Sequence, residues 1–211
     1  MVRFITIEGG EGVGKSSFAK MLSSEIERWD LDVLNTREPG GTKVADQIRQ
    51  IFLIPPQDEP LLPNAELCLV SAARAQHVEH VIRPALNQGC WVLCDRFSDS
   101  TRVYQGYLGN ISSEHVEYLI KLSTNGVEPD LTFVLDCPVE ISLARVEKRN
   151  PSKTGETANR YDLATVNTHK ALRRAFLQIA EDYSDRVVVI DASGSVEHAV
   201  AQAVSVLKDR F

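Results

Sequence analysis

The chain has 211 residues, 43% hydrophobic and 25% charged, with a formal net charge of −6. This balance excludes disordered and fibrous classes and fits one globular domain long enough to bury a proper core. It also argues against general binding of nucleic-acid backbone, so an anionic ligand has to be met by a local basic site.

Phe4 to Ile7 reads as a short strand, followed by glycines and a helix from about Lys15 to Arg28. Leu31 to Thr36 reads as a second strand, and a helix follows the turn Pro39-Gly40-Gly41. The proline-rich stretch Pro55 to Pro63 is a loop, after which a long helix is expected over Asn64 to Asn87 with Asn64 as its cap. Three apolar runs end in aspartate: Cys90 to Cys94 before Asp95, Leu131 to Leu135 before Asp136, and Val187 to Ile190 before Asp191. Runs apolar on both faces, alternating with helical patterns, predict an α/β doubly wound domain with a parallel sheet covered by helices on each side. Asn150 to Asn159 is polar and reads as a loop inside a helical region. The spacing of Cys68, Cys90, Cys94 and Cys137 fits no zinc pattern and points to buried, reduced thiols. The first residues are too short in apolar length for a signal peptide and no run approaches a membrane span, so the expected compartment is the cytoplasm, with no membrane partner.

Gly9-Gly10-Glu11-Gly12-Val13-Gly14-Lys15-Ser16 matches G-x-x-x-x-G-K-[ST], between a strand and a helix. Glycines let the backbone curl so that successive N–H groups face phosphate oxygens, and the new helix adds its positive end, with Ser17 in its first turn. Lys15 is placed to reach the β- and γ-phosphates and the Ser16 hydroxyl to ligate Mg²⁺, so the motif predicts a bound nucleoside triphosphate and phosphoryl transfer. Asp95 stands where a Walker-B-type carboxylate sits, close to the metal, although Asp136 and Asp191 also end strands.

No N-K-x-D guanine-reading string occurs, which argues against a GTPase. A small-molecule kinase needs a second anion site and a basic lid. Arg37 and Arg96 stand at strand ends, Arg74 lies on the long helix, and Arg145 to Arg174 holds eight Lys or Arg against three Asp or Glu. A deoxynucleoside kinase and a non-catalytic nucleotide-binding module remain open alternatives on these features alone.

Thr36-Arg37-Glu38-Pro39-Gly40-Gly41-Thr42, Ala72 to His77, and Asp95-Arg96-Phe97-Ser98-Asp99-Ser100-Thr101-Arg102-Val103-Tyr104-Gln105-Gly106 resemble the thymidylate kinase family, in order and spacing, over nearly the whole chain. The resemblance implies a P-loop nucleoside monophosphate kinase-like domain over 1–211 with a short lid near 148–160, acting on dTMP with ATP and Mg²⁺ for dTTP synthesis. It implies that Arg37 and Arg96 hold the dTMP phosphate, Arg74 the thymine edge, Ser100 and Thr101 the base pocket and Tyr104 the deoxyribose, with Gln105 also on the substrate. Glu11 would approach the 3′-hydroxyl, Asp95 would act near Mg²⁺, and Arg160 would be the catalytic lid arginine, with Arg145 and Arg149 as second candidates. Because the loop carries Glu11-Gly12 and no arginine, the chain is similar to the bacterial subtype with its arginine in the lid. Arg145 and the loop after Asp191 are the expected adenine contacts, and a homodimer is implied, with the helix Asn64 to Asn87 as the candidate interface. Three positions depart from the family pattern: Val70 replaces an aromatic residue, Ala73 an acidic one, and Phe97 a tyrosine.

Overall fold

The computed structural model describes residues 3–56, 58–149 and 164–211. Of the expected lid, residues 150–160, Arg160 among them, lie outside the described residues.

Five strands form one parallel sheet: β1 Phe4–Glu8, β2 Val33–Arg37, β3 Trp91–Asp95, β4 Leu131–Asp136 and β5 Val187–Asp191, in the order β2-β3-β1-β4-β5. All three aspartate-ended apolar runs are strands, and their aspartates close them. Alternation sorts the side chains between two faces. Ile5, Ile7, Leu93 and Phe133 pack with Phe18, Leu22 and Ile26 of α1 (Lys15–Glu27) and Ala203 and Leu207 of α9 (Val196–Arg210). On the other face Phe4, Val92 and Cys94 meet Val78, Ile82 and Phe97, while Val134 meets Leu172 and Phe176 of α8 (Val166–Asp182).

The helix after the Pro-Gly-Gly turn is α2 (Lys43–Leu53), whose cap Thr42 accepts a hydrogen bond from the Ala45 N–H. The long helix differs from expectation. It starts one residue earlier, as α3 (Pro63–His77), with Leu62 at the cap position and Pro63 in the first turn. Asn64 is therefore inside the helix; a proline at the start loses nothing, because its missing N–H would have no partner there. At Val78–Ile82 the helix widens into a π-turn before α4 (Arg83–Asn87). Beyond β3 come a single turn α5 (Ser98–Thr101), a π-helical stretch Arg102–Leu108 and α6 (Ser113–Thr124); α7 (Val139–Arg149) follows β4. The cysteines are free, with Cys94 and Cys137 buried and Cys90 half-buried; Cys68, against expectation, is exposed, because it lies on an outward position of α3.

Parallel pairing brings the strand ends to one level: Ile7, Arg37 and Asp95 are in register across β1, β3 and β2. Ligands of open α/β sheets bind beyond this edge.

Candidate active site

The loop Gly9 to Gly14 leaves β1 and closes on α1, with Gly14 at the cap in a left-handed conformation, φ 99°. Gly12, at φ 77°, passes so close to α7 that a Cβ there would collide with the Ser142 carbonyl oxygen, so no other residue fits without movement. Val13 is buried, while Ser16 and Ser17 are exposed in the first turn of α1. The Lys15 ammonium donates to the carbonyls of Gly9 at 3.0 Å and Gly10 at 2.7 Å. Burial, aided by the neighbouring Arg96 charge, brings its pKa down to about 8.

Of the three strand-end aspartates, the geometry separates one. Asp136 is held by Arg173 in a two-bond pair at 2.7 and 2.8 Å. Asp191 accepts the Ser193 N–H at 2.9 Å in a local turn. Asp95 Oδ2 accepts from the Ser16 hydroxyl at 3.1 Å, and its Oδ1 is buried without a partner among the described residues. A free carboxylate oxygen next to a serine hydroxyl is a hard-oxygen donor pair that suits Mg²⁺.

Beside this pair opens a cleft with a free volume of about 230 Å³. It is lined by every residue expected on the acceptor side: Glu11, Arg37, Val70, Arg74, Arg96, Ser100, Thr101, Tyr104 and Gln105. Arg37 is exposed at the end of β2, and its guanidinium makes no hydrogen bond or ion pair among the described residues. Arg96 follows β3 with φ 71°, a left-handed conformation that costs a non-glycine residue about 1–2 kcal/mol. Its guanidinium donates to Glu11 Oε1 at 2.8 Å, to the Gly9 carbonyl at 3.1 Å and to Ser100 Oγ at 3.1 Å, and lies 5.1 Å from the Tyr104 ring centre. Glu11 also accepts from the Tyr104 hydroxyl at 2.8 Å, and its Oε2 is buried without a partner among the described residues. Burial works to raise the Glu11 pKa, but the charges of Arg96 and Lys15 and the Tyr104 hydrogen bond outweigh it and hold the carboxyl below its ordinary value.

Arg74 is almost fully buried, 2% exposed. Its Nε donates to Glu38 at 2.8 Å and its Nη2 to Thr101 Oγ1 at 2.8 Å, leaving Nη1 buried and unpartnered among the described residues. Glu38 also meets His77 Nδ1 at 3.0 Å, and the His77 Nε2 meets Thr36 Oγ1 at 2.6 Å, so this histidine braces α3 against β2. Gln105, also buried, reaches Glu66 at 3.4 Å.

Part of the cleft leaves little signal in the sequence. Arg49 and Phe52 of α2 line it, with Arg49 donating to the Pro39 carbonyl at 2.8 Å. Burial and the nearby charges of Arg37 and Arg96 lower the pKa of Arg49. The only available signal was their i, i+3 spacing on an amphipathic helix after the Arg-Glu-Pro-Gly-Gly turn. Ser100 lines the cleft, and its hydroxyl also bridges Arg96 and Glu8, donating to Glu8 Oε2 at 2.6 Å. Arg145 and the loop after β5 do come together: the guanidinium donates to the carbonyls of Ala192, Ser193 and Gly194 at 2.9, 3.0 and 2.9 Å.

Residues 7–203 match the family model described as thymidylate kinase. The chain is 44% identical to the thymidylate kinase of Geotalea daltonii over 205 residues, covering 95% of each chain. It is 43% identical to that of Trichlorobacter lovleyi over 95% of this chain and 96% of the relative, and 43% identical to that of Bradyrhizobium diazoefficiens over 99% and 90%. A phosphate loop, a strand-end aspartate and an arginine-lined cleft, continuous with matches of this extent, place the chain in the thymidylate kinase family.

Proposed function

We propose that the two halves of this cleft transfer the γ-phosphoryl group of ATP to dTMP, giving dTDP and ADP, the step that feeds dTTP synthesis. The observation that carries this reading is the meeting of donor and acceptor groups at one sheet edge: Lys15 and Ser16 of the phosphate loop and Arg37, Arg74 and Arg96 line the same cavity.

Phosphoryl transfer has a loose, highly charged transition state, so catalysis consists mainly of positioning and charge stabilisation. Lys15 and the loop N–H groups receive the ATP phosphates. Ser16 and Asp95 would hold Mg²⁺, which when bound neutralises phosphate charge. Arg37 and Arg96 hold the dTMP phosphate, and because that acceptor is already an oxyanion, no strong general base is needed. The unpartnered Nη1 of Arg74 offers a donor to the thymine edge. Tyr104 lies against the sugar and favours deoxyribose, and Glu11 Oε2 accepts the 3′-hydroxyl. Arg160 of the lid adds positive charge at the transferring group; an arginine in this role supplies about 10³- to 10⁵-fold in rate. Arg145 holds the loop after β5, which forms the adenine side.

The protein acts in the cytoplasm as a homodimer. Among the described residues no helix is long and apolar enough to cross a membrane. Next to α3, α6 leaves Tyr118 and Leu122 more than 60% exposed, an apolar surface that a second copy would cover. Sedimentation at micromolar concentration should give twice the chain mass; a monomer would overturn the dimer. The reaction is tested by coupled ADP release, which should depend on dTMP. ADP release independent of dTMP would refute it, and ATP binding without turnover would favour a non-catalytic module.

A further inference from the structure

Glu8 ends β1 with no solvent exposure, and the reaction as described makes no use of it. A buried carboxylate is costly unless its oxygens are bonded. Here Oε1 accepts the N–H groups of Phe97 at 2.8 Å and Ser100 at 3.1 Å, and Oε2 accepts the Ser100 hydroxyl at 2.6 Å. The two N–H bonds tie down the backbone on the far side of Arg96, while the Arg96 N–H itself donates to the Ile7 carbonyl at 2.9 Å. Arg96 lies between these ties in its left-handed conformation, which persists only where the surroundings hold it. The Ser100 hydroxyl has a single hydrogen. With that hydrogen given to Glu8, the oxygen presents lone pairs to Arg96 Nη1 at 3.1 Å.

We infer that Glu8 is a positioning residue for the acceptor arginine: through the Ser100 hydroxyl and the Phe97 and Ser100 backbone, its carboxylate fixes the corner from which Arg96 meets the dTMP phosphate. This rests on the assignment of Arg96 to that phosphate. A hydrophobic residue would fill the volume but accept none of the three bonds, and a protonated carboxyl accepts them less well. Burial and the neighbouring Asp99 charge, against the pull of Arg96, push the Glu8 pKa up to about 7, so its charge state changes within the working range of pH. The charged and titratable groups that face it are Asp99 of α5, Arg96, Lys15 of α1 and Cys94 of β3.

The test is steady-state kinetics of the full chain, with dTMP and ATP varied separately between pH 6 and 9, for wild type, Glu8→Gln, Ser100→Ala, their double variant and Arg96→Ala. Glu8→Gln and Ser100→Ala should each raise the dTMP KM by about tenfold, the loss expected for one charge-assisted hydrogen bond, with the ATP KM changed by less than about twofold. The double variant should be little worse than Glu8→Gln alone, because both act on one chain of bonds. The acid limb of kcat/KM for dTMP near pH 7 should disappear in Glu8→Gln. An unchanged dTMP KM in both single variants, or equal increases for dTMP and ATP, would overturn the inference while Arg96→Ala still raised the dTMP KM. An unchanged dTMP KM in Arg96→Ala would overturn the assignment of Arg96 itself. If Glu8→Gln shows no cooperative thermal transition, Ser100→Ala decides, since it leaves both backbone bonds to Glu8 in place.

Discussion

The guanidinium of Arg96 and the carboxylate of Glu11 meet at 2.8 Å, joining the end of β3 to the phosphate loop. The pair fixes the loop that receives ATP against the arginine assigned to the acceptor. Glu11 spends only Oε1 on Arg96 and Tyr104; the buried Oε2 waits for a donor. If that donor is the 3′-hydroxyl of dTMP, removing the hydroxyl should lower kcat/KM of the wild type about 10- to 100-fold, as for a hydrogen bond to a charged group. The same change of substrate should cost Glu11→Gln less than about threefold. Equal losses with 3′-deoxy-dTMP in both enzymes would remove Glu11 from the sugar site.

Val70 lines the cleft one helical turn before Arg74, at a position where the resemblance to the family implies an aromatic ring. A valine covers a base without stacking on it, and stacking is worth about 1–3 kcal/mol. Phe52 and Phe97 line the same cleft, so part of the aromatic surface comes from neighbours. Val70→Phe should therefore lower the dTMP KM about fivefold, the low end of that range. A KM that stays the same or rises would show that the valine is not a deficit here.

Arg74 and Glu38 form a buried ion pair at 2.8 Å, with both side chains under 5% exposed. Truncating one partner leaves the other charge uncompensated, at about 3–5 kcal/mol. Arg74→Met should lower Tm by about 10 °C, since a domain of this size loses about 2–4 °C per kcal/mol. Arg74→Met with Glu38→Gln should lose less than the sum of the two. A Tm within about 2 °C of wild type for Arg74→Met would mean that the pair contributes to binding alone.

Glu8 also predicts a pH dependence of stability. Its folded pKa of about 7 exceeds the ordinary 4.5, so the folded chain holds a proton that the unfolded chain has released between these values. Stability from this group is complete below about pH 4.5 and is lost as pH rises through 7, by up to about 3 kcal/mol. Urea unfolding at pH 5 and pH 8 should show Glu8→Gln gaining about 2–3 kcal/mol on the wild type across that interval. A constant difference between the two proteins would place the Glu8 titration elsewhere.

The strands and the phosphate loop were legible in the sequence because parallel strands are apolar on both faces and the loop needs glycines at fixed spacing. Arg37 and Arg96 were legible as cations at strand ends. The π-turn at Val78–Ile82 was not, because it leaves the apolar periodicity around it nearly intact. Arg49 and Phe52 looked like ordinary positions on an amphipathic helix; only the packing of α2 beside α3 turns them to the cleft. Glu8 stands just beyond the strand expected over Phe4 to Ile7 and was given no role, and Ser100 was read as a pocket residue. Their bond joins positions 92 residues apart, a relation that no local pattern encodes.

As proposed, this cleft accepts a deoxyribonucleoside monophosphate and discriminates it by base, sugar and phosphate. The direct measurement is kcat/KM with ATP for dTMP, dUMP, thymidine, dCMP and AMP, with the diphosphate product identified. dTMP should be the best acceptor, dUMP weaker, and thymidine without a phosphate for Arg37 and Arg96 nearly inactive. A preference for thymidine over dTMP, or equal use of AMP and dTMP, would contradict the account.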